Sequence, residues 1–238
     1  MLETITLEQL NSRDAMMTRV DRKYLIRHSH LELLLDGLPA GTRVLDIAGT
    51  TRQRYTTVYY DTPDLRCYHD AAYRRRLRFK VRTRTYEDTG VSFLEVKTKG
   101  PRGVTVKQRT LVDATPASWL THSLGGRLRE GDVDKLAPVL TNTYRRMTLS
   151  PPDAGRATID TDLTWTSGST LEGLDLVFVE TKSTATPSSI DRLLWSRGHR
   201  PVSVSKFGCG MAALHPELPA GKWTRTLNRH FERTTSHA

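Results

Sequence analysis

The sequence predicts an α+β fold: an antiparallel sheet or barrel of about eight strands with helices at its ends. Three observations lead there. Successive stretches alternate apolar and charged residues with period two. Only three or four stretches have helical character, and strands and helices do not alternate regularly. The third observation is the run "RRRLRFKVRTRTY", residues 74–86. It sets Arg74, Arg76, Arg78, Lys80, Arg82 and Arg84 at every second position, so a strand would carry them on one face.

In chain order, "HSHLELLLDGLP" predicts a short helix with Ser29 as N-cap, stopped by Gly37 and Pro39. "TTVYYDTPDL" predicts a strand running into a turn at Asp61 to Asp64, with Tyr59, Tyr60 and Asp61 fixing the turn. The basic run follows as one strand. "GVSFLEVKTKGPRGVTVKQR" predicts a hairpin around Gly100–Pro101. Residues 115–141 read as helical or irregular, anchored by Trp119, Leu120, Leu136, Val139 and Leu140. Four more strands come from "NTYRRMTL", "GRATIDTDLTW", "DLVFVETKS" and "VSVSKF". "TPSSIDRLLWSRG" predicts a helix capped by Ser188 or Ser189 and ended by Gly198. A basic terminal helix begins near Gly221.

Length and charge narrow the classes. The 238 residues fit one large domain or two small ones. Net charge is +10, and residues 74–109 hold twelve Lys or Arg against three acids. That surplus points to a polyanion: nucleic acid, an anionic membrane surface or phosphate-rich small molecules. Cys67 and Cys209 are too few for a disulfide framework and lack metal-site spacing. The eight histidines show no ligand spacing. No apolar run is long enough to span a membrane and no signal peptide is evident, so a cytoplasmic location is expected.

The period-two rule repeats the charged face along the chain. Phe93, Glu95, Lys97 and Lys99 align; so do Thr105, Lys107 and Arg109; so do Tyr144 and Arg146. Arg156, Thr158, Asp160 and Asp162 align, as do Phe178, Glu180 and Lys182. If the sheet closes with these faces inward, the interior is a cationic tunnel that repels itself when empty and suits a chain of phosphates. Glu95, Asp160, Asp162 and Glu180 are then candidates to hold a divalent metal, or to neutralise inward arginines. Nucleic-acid binding ranks last, because few aromatics interleave with the basic face.

The order of "VDRKYLI", "VYYDTPDL", "KVRTRTY", "LEVKTK", "YRR", "RATIDTDL", "VFVETKS" and "SVSKFGCG" resembles that of bacterial polyphosphate polymerase domains. These are similar to the catalytic domain of the vacuolar transporter chaperone (VTC), in the triphosphate tunnel metalloenzyme superfamily. The resemblance covers about residues 15–214. It implies a single antiparallel barrel domain over residues 1–214, with a basic extension over 215–238. The implied activity is a metal-dependent phosphotransferase that moves the γ-phosphate of ATP onto a growing polyphosphate chain. A triphosphatase of the same fold and a non-catalytic polyphosphate-binding module are the alternatives. Carried over by motif, Lys23, Arg146 and Lys206 are catalytic. Lys80, Arg82, Arg84, Lys97, Lys107, Arg109, Arg146 and Lys182 bind substrate, and Glu180 ligates Mn²⁺ or Mg²⁺. A membrane protein that takes up the product is the implied partner. One departure stands out: hydrolytic members begin with Glu-x-Glu-x-Lys, whereas this chain has Arg19, Asp21 and Lys23. Fewer metal-holding acids favour transfer over hydrolysis.

Overall fold

A computed structural model describes residues 2–14, 20–100, 104–114, 117–153 and 155–231. The strands are β1 (Glu3–Ile5), β2 (Val20–Ile26), β3 (Arg43–Leu45), β4 (Gln53–Asp61), β5 (Phe79–Tyr86), β6 (Val91–Lys99), β7 (Thr105–Leu111), β8 (Ala137–Ser150), β9 (Arg156–Ser167), β10 (Ser169–Leu171) and β11 (Val177–Ser183). The helices are α1 (Leu7–Asp14), α2 (Leu31–Asp36), α3 (Arg66–Ala72), α4 (Ala117–Leu124), α5 (Glu130–Val133), α6 (Ser189–Ser196), α7 (Lys206–Leu214) and α8 (Thr224–His230). The fold is α+β, as predicted. The main strand path has eight members, in the order β2-β11-β9-β8-β4-β5-β6-β7. Short strands β1, β3 and β10 lie off it, and β1 pairs with β3 in parallel. Contacts divide the chain into two compact units.

The first unit comprises residues 1–54, 144–163 and 173–204. Here β11 pairs antiparallel with β2 and with β9. One face of these strands presents Tyr24, Ile26, Ala157, Ile159, Val177 and Val179 to Leu31, Leu34, Ile190 and Leu194. Burial of this face is what holds α2 and α6 against the sheet. The N-terminus of α6 is fastened by Ser188 and Asp191, each bonding the other's backbone N–H. Asp191 also accepts from Tyr24 Oη (2.6 Å) and Thr181 Oγ1 (2.5 Å). Burial opposes its ionisation, but these hydrogen bonds hold its carboxyl below the ordinary value. One expectation fails in this unit: Ser29 does not cap α2. It sits inside a 3₁₀ turn, His28–His30, and α2 has no side-chain cap. Asp175 accepts from the His28 backbone N–H instead (2.6 Å).

The second unit comprises residues 55–143, 164–172 and 205–238. Antiparallel β4, β5, β6 and β7 follow in order. Buried Phe79, Val81 and Val96 lie on one face. Helix α3, which the strand-like text concealed, starts where Asp61 accepts from the backbone N–H groups of Thr62, Cys67 and Tyr68. The segment past residue 215 packs into this unit: Trp223 meets Tyr68 and Phe231 meets Trp165.

Four more expectations are corrected in this unit. Residues 74–78 are not strand. The Arg75 N–H bonds the Asp70 carbonyl (2.8 Å) and Arg74 takes φ 56°, so the chain turns off α3 before β5 begins. Leu77 is accordingly exposed and does not pack with Phe79 and Val81. "VSVSKF" is irregular up to Ser205, whose hydroxyl accepts from the Gly208 N–H and caps α7. Residues 137–141 already belong to β8. The expected Gly-Pro turn falls on residues 101–103, outside the described residues.

Helix α7 tolerates two glycines because aromatic rings lie against it. A Cβ on Gly210 would come within 2.3 Å of Trp165, and one on Gly208 within 2.1 Å of Trp223. Gly210→Ala is expected to cost about 1–3 kcal/mol through overpacking. Gly131→Ala in α5, with nothing within 4 Å and no positive φ, should be neutral or stabilising by about 0.5–1 kcal/mol. Urea unfolding of the two variants checks the contrast.

Candidate functional site

In the second unit, the strand register assembles cations in rows. Lys80, Lys97 and Lys107 stand opposite one another across β5, β6 and β7; Arg82, Glu95 and Arg109 form the next row; Arg84 and Phe93 the third. With Lys99, that face carries seven cations and one carboxylate on these three strands. Glu95, 1% exposed, is the centre of the array. It accepts from Arg82 Nη2 (2.6 Å) and pairs with Lys107 Nζ (2.5 Å). Burial raises its pKa, but Arg82, Arg84 and Lys107 outweigh that and lower it to about 2.

Arg84 is different. Its side chain is buried and packs 5.7 Å over the Tyr55 ring. Its Nε is buried without a hydrogen-bond partner, and so is the hydroxyl of Thr57, its partner in β4. Buried polar atoms are nearly always satisfied, so this pair is placed to bond a water or a ligand oxygen. Lys80 donates to Ser205 Oγ (2.6 Å) and lies 5.4 Å from the Phe207 ring. Lys97, Lys107 and Arg109 are exposed. Among the described residues, β7 ends the strand path and pairs with β6.

In the first unit, Lys23, Glu180 and Thr158 form one cross-strand row, and Asp21, Lys182 and Arg156 the next. Lys182 Nζ contacts Glu180 Oε1 (3.1 Å). Burial opposes charge on Glu180, yet Lys182, Lys23 and Arg146 hold its carboxyl well below the usual carboxylate range. Arg146 grips Asp160 with two hydrogen bonds (2.6 and 2.8 Å) and lies 5.3 Å over the Tyr144 ring. The hydroxyl of Thr158, opposite Glu180, is buried without a partner.

Asp162 does not join Asp160. It takes φ 54°, which breaks the strand alternation, and it is 52% exposed beside Arg52 and Arg145. Asp21 is exposed. Lys206 is the first residue of α7, not a strand residue. Arg19 lies outside the described residues. Sequence reasoning missed Thr57 and gave Thr158, which it aligned with Asp160, no role; only register reveals them as neighbours of Arg84 and Glu180.

Among the described residues, no group of three or more His, Cys, Asp or Glu side chains could hold a metal. The chemistry of the donors still fits one kind of metal binding. Mg²⁺ and similar ions commonly take one or two carboxylates and complete their shell with water and substrate phosphates. Asp160 is committed to Arg146 and Glu95 to Arg82 and Lys107, which leaves Glu180 as the fitting carboxylate.

Cation-rich, in-register sheet faces with a few ionised carboxylates favour polyanionic ligands. The family model described as "VTC domain" matches residues 18–215, and the chain belongs to that family, as the motif order implied. Three solved structures are similar. One is a putative adenylate cyclase from Vibrio parahaemolyticus (14% identity, TM-score 0.42, covering 76% of this chain and 87% of that one). Another is the PH1012 protein from Pyrococcus horikoshii (12%, 0.42, 76% and 88%). The third is a putative adenylyl cyclase from Hippeastrum, described as having a dominant triphosphatase activity (14%, 0.47, 82% and 96%). No curated protein matches the chain. Among the described residues, no helix is long and apolar enough to cross a membrane.

The lowered pKa of Glu95 sets a pH dependence. Its folded value of about 2 lies below the ordinary 4.5, so its contribution to stability is full above pH 4.5 and is lost as pH falls towards 2. Glu95→Gln should remove that dependence. At neutral pH it should cost about 3 kcal/mol, because three cations lose their buried counter-charge. Urea unfolding of parent and variant across this pH range measures both effects.

Proposed function

We propose that this chain is a polyphosphate polymerase, which transfers the γ-phosphate of ATP to the end of a growing polyphosphate chain within a cationic tunnel. The observation that carries this reading is Arg84, a buried guanidinium whose Nε lacks an acceptor, set in a face of seven cations and one carboxylate. Phosphate oxygens supply acceptors and negative charge together.

The proposal gives each basic residue a role. Arg82, Arg84, Lys80, Lys97, Lys107 and Arg109 bind and align the phosphate chain. Arg146, fixed by Asp160, and Lys23 and Lys182, beside Glu180, neutralise charge that builds on the transferred group and the leaving diphosphate. Lys206 serves the same end from the start of α7. Glu180 is the residue that would hold Mn²⁺ or Mg²⁺, and the ion would supply Lewis-acid polarisation of the phosphoryl group. Attack by a phosphate oxygen of the acceptor forms the new P–O–P bond as the bond to the leaving diphosphate breaks, so no covalent protein intermediate is needed. The work is alignment and charge neutralisation. The reading includes a cytoplasmic location and a membrane-protein partner that receives the product.

Incubation with ATP and Mn²⁺, with polyphosphate separated from free phosphate, is the test. Chains should form; free phosphate alone favours the triphosphatase, and tight polyphosphate binding without turnover favours a binding module. Glu180→Gln should lower turnover at least about a hundredfold, roughly 3 kcal/mol in the barrier, while metal-free triphosphate binding is kept. Replacing Arg82 or Arg84 with Ala should each weaken triphosphate binding about thirtyfold, some 2 kcal/mol. Calorimetry reads this directly, and unchanged binding refutes the assignment.

A further inference from the structure

The sequence places Arg74, Arg76 and Arg78 in the charged strand face; the structure removes them from it and leaves their purpose open. Residues 73–78, Tyr-Arg-Arg-Arg-Leu-Arg, form a tight turn between α3 and β5. Arg74, Arg75 and Arg76 are exposed, and Tyr73 and Leu77 are each 57% exposed. Among the described residues, none of the four arginines is paired with a carboxylate. The nearby Asp70 is taken by Arg66 (3.3 Å). Lys222 adds a cation at the same end of α3, where its Nζ donates to the Ala71 carbonyl (2.5 Å).

The turn is held in shape. Its backbone is tied to Asp70 through the Arg75 N–H, Arg78 Nη1 donates to the Arg75 carbonyl (2.9 Å), and Tyr73 stacks on His69 at 5.9 Å. A preformed loop loses little entropy on docking.

We infer that this turn docks the protein on an anionic membrane surface. Arginines alone would suit any polyanion. The exposed aromatic and aliphatic side chains among them decide the partner. A tyrosine ring favours the headgroup level, a leucine gains by entering the acyl boundary, and arginines attract anionic lipids. A free phosphate chain offers nothing to Leu77.

The test uses the full chain with vesicles of phosphatidylcholine alone, or of phosphatidylcholine mixed with phosphatidylserine, read by co-sedimentation. The parent should sediment with the anionic vesicles only. Arg74→Gln/Arg75→Gln/Arg76→Gln should weaken that binding at least about tenfold. Removing three charges elsewhere, by Arg200→Gln/Arg225→Gln/Arg229→Gln, should weaken it much less. Leu77→Trp should show, beyond the parent's own tryptophan signal, a blue-shifted emission with anionic vesicles and none with polyphosphate. Unchanged thermal unfolding of the loop variants confirms that they fold. Equal effects of the two triple variants, or an emission of the Leu77→Trp variant that anionic vesicles leave unmoved, overturn the inference. A shift with polyphosphate instead makes the turn a docking point for phosphate chains and likewise overturns it.

Discussion

Like charges held side by side govern this protein. In the second unit, strand pairing fixes Lys80, Lys97 and Lys107 in a row and Arg82 and Arg109 on either side of Glu95. Like charges directly opposite one another on a sheet are destabilising, although solvent screens the exposed Lys97, Lys107 and Arg109. Hydrophobic burial on the opposite face, through Phe79, Val81 and Val96, keeps the strands paired despite this. The pleat then leaves the cations no choice of side. Glu95 relieves part of the repulsion and an anionic ligand can relieve more. The first unit repeats the arrangement, with Val177 and Val179 in the core behind Glu180 and Lys182.

The three carboxylates set among these cations, Glu95, Asp160 and Glu180, are not equivalent. Glu95 and Asp160 have their oxygens engaged by arginine and lysine at 2.5–2.8 Å. Their task is to fix cations in place. Glu180 makes a longer contact, 3.1 Å to Lys182, and its side chain is 24% exposed. A carboxylate that stays ionised, keeps access to solvent and is lightly held is the one suited to share with an incoming metal and phosphate. The same reasoning sets Arg84 apart from Arg82: one is neutralised by Glu95, the other is buried with an unmet donor.

Much of this was legible in the sequence, because a strand has a period of two and the charged faces of β5, β6, β7, β9 and β11 obey it. The N-cap of α6 was legible, as Ser188 or Ser189, for a similar reason, since capping is local chemistry; the structure uses Ser188 in a capping box. What misled was periodicity continuing where the backbone did not. Arg74, Arg76 and Arg78 stay in step with Lys80, yet the turn off α3 ends that step. Asp162 stays in step with Asp160, yet one residue at positive φ throws it to the surface. Helix α7 was hidden by Gly208 and Gly210, poor helix formers whose presence makes sense only beside Trp165 and Trp223. Such contacts are long-range and leave no local signature. What Thr57 and Thr158 face across the strands was invisible for the same reason, since register decides it.

On the proposed reading, the crowded cations hold a repulsion that a phosphate chain relieves. A ligand that binds only the folded state raises its stability in proportion to ln(1 + [L]/Kd). Thermal unfolding with tripolyphosphate, against sodium chloride at equal ionic strength and without metal, therefore tests it most directly. A rise in Tm with tripolyphosphate that chloride does not reproduce, and that keeps growing with its concentration, is the result predicted. Coincident unfolding curves in the two salts would contradict the account.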